Sequence, residues 1–441
     1  MKLKLIIRFI LISLAVLGLA ACSSVPESTD EQASPDLSSE RGEHTGDIVD
    51  GMTADEDAAT SSPTPEDTPA PEEEFPEPTL APVPTPSVIM PFNEEITAME
   101  LARDMGAGWN LGNTLDASAG GNSPIAVSTQ ETAWGNPITT REMIELLSDT
   151  GFRTLRIPIT WERFIGEAPD YIIDTALIDR VQEIVDWAFE FDMYVIINTH
   201  HERWNFPSSE NVAAVRIMTA LWHQVASRFA GYSEKLIFES MNEPRLWGTS
   251  HEWTGGTPEA RSVINGWNFY FINVVRATGY NNEHRFLLIP THAASADANA
   301  IADMWTPRND DRVMVSVHSY TPYDLVLNTR SDRSTFDPGN PDDTRDIDAL
   351  FDRLNKTFIE QGVAVVMGET GMILKQGNIA DRIRWADYYT SVAASVGIPC
   401  IWWDNGIRST TTNEAFGLMH RQVPEWHYPQ IVEAFIKNLR P

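Results

Sequence analysis

From residue 93 to the C-terminus the chain repeats one alternation eight times: a short apolar run rich in β-branched residues, then a longer stretch with helical periodicity. The runs fall at 107–111, 154–159, 194–199, 236–241, 285–290, 313–318, 364–368 and 400–403. Such runs suit strands buried on both faces, and therefore a parallel sheet covered by helices. The stretches between them carry helix signals. Residues 139–150 place Thr139 and Glu142 at capping-box spacing with Gly151 as a stop, 174–191 sets Leu177, Val181, Ile184, Val185 and Ala188 on one face, and 381–396 ends at Gly397. Eight units predict an α/β fold closed into a single (β/α)8 TIM barrel. An open doubly wound sheet fits less well, because the glycine-rich run from Gly106 to Gly112 is one residue too long for the dinucleotide fingerprint and carries Trp109 where a phosphate would need the backbone.

In such a barrel the chemistry sits at the carboxyl ends of the strands. Polar residues gather there: Asn110 and Asn113, Arg156, His200 and His201, Asn242 and Glu243, His318 and Tyr320, Glu369, then Trp403 and Asp404. Glu243 and Glu369 each close an apolar run. One carboxylic acid to protonate a glycosidic oxygen and one carboxylate on the other face of the sugar is what cleavage of a glycosidic bond requires, and two strand ends facing each other across a barrel mouth supply that pair.

The first 92 residues have a different composition. Lys2, Lys4 and Arg8 precede an apolar run that is too short to anchor as a membrane span and ends in Leu19-Ala20-Ala21-Cys22. The layout is that of a secretory signal, and the last four residues resemble the lipobox of bacterial lipoproteins, which implies acylation at Cys22. Residues 1–21 are therefore expected to be a signal peptide, 22–92 a disordered linker and 93–441 the barrel. From residue 23 to 92 the chain is rich in Ser, Thr, Pro, Asp and Glu, with Arg41 the single Lys or Arg, and cannot bury enough apolar surface to offset ordering entropy.

The formal net charge of −31 leaves no electrostatic footprint for nucleic acid, and two cysteines, Cys22 and Cys400, exclude a disulfide scaffold or a thiolate metal cluster.

The motifs resemble those of family-5 glycoside hydrolases of the retaining barrel clan, and within them bacterial endoglucanases. They are Gly108-Trp109-Asn110-Leu111-Gly112-Asn113, Thr154-Leu155-Arg156-Ile157-Pro158, Asn198-Thr199-His200-His201-Glu202, Met241-Asn242-Glu243-Pro244, His318-Ser319-Tyr320, Gly368-Glu369-Thr370 and Trp402-Trp403-Asp404-Asn405, in family order. The resemblance implies Glu243 as acid/base and Glu369 as nucleophile, with Arg156 and Tyr320 holding Glu369. It further implies that Asn113, His200, His201, Asn242 and His318 bind or orient sugar and that Trp403 forms the platform at the cleavage point. The implied reaction is endo-acting, retaining hydrolysis of β-1,4-glucosidic bonds without cofactor or metal. Glu243 is expected to have a raised pKa, partly from the charge of the other carboxylate.

Other readings of the same residues remain open. Xyloglucan, mixed-linkage glucan or mannan could be the substrate, and a glycan-binding lipoprotein is the non-enzymatic reading. His200-His201-Glu202 lacks the second histidine four residues on that a zincin helix needs. Trp187, Trp222, Trp267 and Trp385 fall in helical stretches and read as packing. Trp109, Trp134, Trp161, Trp204, Trp247 and Trp253 fall near strand ends and are candidate sugar platforms. A monomer, lipid-anchored at the bacterial cell surface or membrane with its barrel outside the cytoplasm, completes the expectation.

Overall fold

A computed structural model describes residues 77–118, 125–409 and 414–440. The expected signal peptide, Cys22 and the linker as far as residue 76 lie outside the described residues. Eight parallel strands close into a barrel in sequence order: β1 (Ala107–Leu111), β2 (Thr154–Ile157), β3 (Tyr194–Asn198), β4 (Leu236–Glu239), β5 (Leu287–Ser295), β6 (Val313–His318), β7 (Val365–Thr370) and β8 (Cys400–Asp404), with β8 paired back to β1. All eight predicted runs are strands, shifted by a few residues at their ends.

Alternation along each strand sorts its side chains. Trp109, Leu155, Val195, Phe238, Leu287, Val315, Val365 and Trp402 face the surrounding helices. Ile196, Ile237, Leu288, Met314, Val366 and Ile401 instead share an inner cluster with Leu101, Ala102 and Met105 of helix α1 (Ala98–Met105). That helix stops the amino end of the bore, and it carries the capping box: the Thr97 hydroxyl accepts from the Glu100 N–H while the Glu100 carboxylate accepts from the Thr97 N–H. The expected box at Thr139 is not formed. The helix there is Arg141–Thr150, capped by Thr140 without a side-chain bond, because the Thr139 N–H is taken by Glu131. Gly151 does end that helix in a left-handed conformation, φ 108°.

Residues 77–92, assigned to the linker by composition, contain no helix or strand but lie against the barrel. Glu77 pairs with Arg216 at 3.2 Å, the Met90 N–H donates to the Gly231 carbonyl at 2.7 Å, and Phe92 lies under the Arg312 guanidinium. A Cβ on Gly231 would collide with the Val88 carbonyl at 2.1 Å, so the close approach depends on glycine.

Candidate active site

Two residues further along the strands the bore turns polar. Asn110, Arg156, Asn198, Glu239 and Ser316 are all fully buried. Arg156 is the centre of this layer. Its Nε donates to Glu239 at 2.8 Å, Nη1 to Asn110 and to Glu369 at 2.9 Å each, and Nη2 to Asn242 at 2.8 Å. Burial works against its charge, but Glu239 and then Glu369 outweigh that and hold the guanidinium above its ordinary pKa. The Asn242 oxygen is thereby occupied, which leaves its amide nitrogen as the donor for a ligand.

The two carboxylates expected from the sequence meet in this cleft. One oxygen of Glu243, one of Glu369 and a ring nitrogen of His318 lie within 4.8 Å of one another. On β7, strict alternation would turn Glu369 away from the bore. The β6–β7 register instead slips after Val317↔Met367 so that His318 faces Glu369, with Gly368 as the extra residue. A Cβ on Gly368 would stand 3.0 Å from the His318 ring, so glycine makes room for both side chains. Tyr320 donates to Glu369 Oε2 at 3.0 Å, and Arg245 lies 3.6 Å from Glu243 Oε2.

His318 Nδ1 and Glu243 Oε1 share a hydrogen bond of 2.8 Å. Burial lowers the histidine's proton affinity, but Glu369 and Glu243 raise it above the ordinary value. Burial likewise works to raise Glu243, yet the His318 hydrogen bond and charge, with Arg245, bring it below the usual carboxylate range. Glu369 is raised by burial, against His318 and Arg156 and with the charge of Glu243. The expectation of a raised Glu243 is therefore corrected: the 2.8 Å bond to His318 and the charges of His318 and Arg245 outweigh burial and lower it.

His200 is held from the strand below it, by Asn198. Its Nδ1 lies 3.2 Å from the amide nitrogen of Asn198, whose oxygen accepts from the Ile159 N–H. The ring is thus held with its proton on Nε2, as a donor. It stacks on Trp403 with planes 3° apart and ring centres 5.8 Å apart, and His201 packs edge-on against it. The Trp403 ring in turn lies over Gly112, where a Cβ would come within 3.0 Å. Asn113 adopts φ 55° in a loop whose N–H groups, at Asn113 and Thr114, donate to Asp116. Burial pushes Asp116 up to about 7.

Asp116, His200 and His201 also form a group with metal-ligand reach, as do Glu243, His318 and Glu369. In the second group Glu369 is bonded to Arg156 and Tyr320, and Glu243 to His318; in the first, Asn198 lies against the Nδ1 of His200.

Among the candidate platforms, Trp109, Trp161 and Trp204 are core residues, at 0%, 1% and 9% exposure. Trp109 donates to Asp404 and Trp161 to the Asn198 carbonyl, so polar tethers and not sugars occupy their ring nitrogens. Trp134 beside His201 and Trp247 beside Phe206 are open to solvent, and Trp253 stacks with Arg245. Trp222, Trp267 and Trp385 are buried in helices as expected, and Trp187 is partly buried. Neither motif nor strand-end position had marked Glu239 or Ser316, and Asn198 stood in a motif without a role. Their one visible signal was a polar side chain at an inward position of an otherwise apolar strand.

A cellulase (glycosyl hydrolase family 5) profile matches residues 118–409. Endoglucanase B of Clostridium cellulovorans is 43% identical over 346 residues, 78% of this chain and 76% of that protein. Endoglucanase A of Ruminococcus albus is 43% identical over 352 residues, 78% of this chain and 94% of that protein. Among solved structures, a GH5-4 broad specificity endoglucanase from Ruminococcus champanellensis with bound cellotriose superposes with a TM-score of 0.75 at 40% identity, covering 78% of this chain and 99% of that one.

Proposed function

Because this chain belongs to glycosyl hydrolase family 5 and is a glycoside hydrolase, we propose that it cleaves β-1,4-glucosidic bonds within cellulose or related β-glucans, with retention at the anomeric carbon. The observation that carries the mechanism is the closeness of Glu243 and Glu369, one oxygen of each within 4.8 Å. Inverting enzymes hold their carboxyl groups about 6.5–9.5 Å apart to admit a water between them, whereas retaining pairs sit at about 5–5.5 Å.

In this reading a glucosyl unit on Trp403 excludes water and desolvates both carboxylates. The proton then passes from His318 Nδ1 to Glu243, which delivers it to the leaving glycosidic oxygen as a Glu369 oxygen bonds to the anomeric carbon. Arg156 and Tyr320 keep Glu369 oriented, and the Asn242 amide donates to the sugar 2-hydroxyl. Water then attacks the glycosyl-enzyme, losing its proton to Glu243, and frees Glu369. Proton NMR of the first product formed tests this: the β-anomer is expected, and inversion would overturn it. A panel of cellulosic, mixed-linkage, xyloglucan and mannan substrates sets the preference, and no cleavage of any β-1,4-linked glucan would defeat the reading.

The Leu19-Ala20-Ala21-Cys22 sequence supports a lipid anchor at Cys22, and the acidic, proline-rich composition after it supports a stalk that displays the barrel outside the cytoplasm. Cys22→Ser should release active protein into the medium in place of membrane-bound protein.

A further inference from the structure

Beneath the cleft lies a third glutamate. Glu239, the last residue of β4, is fully buried, and all three of its polar partners donate to it: Arg156 Nε at 2.8 Å, Asn198 Nδ2 at 3.1 Å and the Ser316 hydroxyl at 2.6 Å. Acceptance from three donors is the pattern of an ionised carboxylate. Each donor comes from a different strand, and two of them lead onward into the cleft. Arg156 reaches Glu369 and Asn242, and Asn198 sets the ring of His200.

We propose that Glu239 is a positioning residue for the hydrolysis: its carboxylate aligns Arg156 and Asn198, and its charge takes up part of the arginine's, so that Glu369 is oriented without being over-stabilised as an anion. An arginine facing Glu369 alone would hold that carboxylate more tightly and make it a weaker nucleophile. Shared between two glutamates it does so less. This rests on the reading of Glu369 as nucleophile. The groups facing Glu369 are Arg156 from β2, Glu243 after β4, and His318 and Tyr320 from β6 and the loop after it. Those facing Glu239 are Arg156, Asn198 and Ser316.

Glu239→Gln separates charge from shape. The amide oxygen can still accept from Arg156 and Asn198, and the amide nitrogen can donate to the Ser316 hydroxyl. In the full chain, kcat/KM at the pH optimum should fall about tenfold, and its acid limb should move to lower pH by about half a unit or more. Glu239→Asp keeps the charge but shortens the reach, so it should lower kcat without moving the acid limb. An acid limb that stays in place or rises in Glu239→Gln overturns the proposal. If that variant does not fold, full activity in Glu239→Asp does so. Labelling the wild type with a 2-deoxy-2-fluoro cellobioside and mapping the modified peptide tests the nucleophile separately: a label away from Glu369 defeats the mechanism itself, whatever the Glu239 variants do.

Discussion

The two halves of the bore are built on the same strands two residues apart, yet they hold opposite contents. Toward the amino end Ile196, Ile237, Met314, Val366 and Ile401 share an apolar cluster with helix α1, and the polar groups beside them, Thr154 and Tyr194, bond to Met105 and Asp104. One inward position later stand Asn198, Glu239, Ser316, Gly368 and Trp403, joined from below by Arg156. The apolar half needs only shape and volume, which many side chains satisfy. The polar half is buried as deeply, so each charge there must be paired and each donor given an acceptor. Removing one member strands the others, and that constraint is what holds the cleft side chains in place.

Predictions follow from this contrast in order of size. Glu369→Gln should lower kcat/KM by about 10⁴-fold or more, measured on soluble β-glucan, with the unfolding midpoint unchanged, since Arg156 keeps Glu239 as its partner. Residual activity near wild type would remove Glu369 from the chemistry. Arg156→Met should cost about 3–5 kcal/mol in denaturant unfolding at neutral pH, because two buried carboxylates lose their shared cation. That deficit should shrink as pH falls and the carboxylates take up protons. A deficit independent of pH would mean the loss is one of packing. In the apolar half, Ile237→Ala should cost about 2–4 kcal/mol while kcat and KM of the folded fraction stay unchanged. If catalysis fell with it, the two halves would not be separable.

Asp116, in the loop after β1, gives a smaller and signed effect. Its folded-state pKa of about 7 lies above the ordinary carboxylate value, raised by burial. Between those two values the folded state binds more protons than the unfolded one, so this residue makes stability fall as pH rises toward 7. Asp116→Asn should flatten that part of the stability profile, as followed by thermal unfolding across pH. Last, Trp134→Ala should raise KM for long glucans a few-fold with kcat little changed, as expected for one aromatic contact worth about 1 kcal/mol.

Much of this was legible in the chain. The eight runs, the order of the motifs and the two glutamates at strand ends are local patterns, and strand periodicity carries them directly. The tryptophans were not equally legible: Trp109, Trp161 and Trp204 stand near strand ends like Trp134 and Trp247, and only burial separates core from rim. The cap at Thr139 failed for a similar reason, since Glu131 from an earlier turn claimed its N–H.

What the sequence determined by itself was the barrel and the strand ends at which Glu243 and Glu369 stand, because alternation and spacing act within a few residues. What the tertiary structure alone decided was how those groups meet. The slip at Gly368 turns Glu369 into the bore, and closure of β8 onto β1 lays Trp403 against His200. Strands far apart in sequence bring Glu239 beneath Arg156 and set His318 against both Glu243 and Glu369, since charge and burial are set by neighbours that only folding supplies.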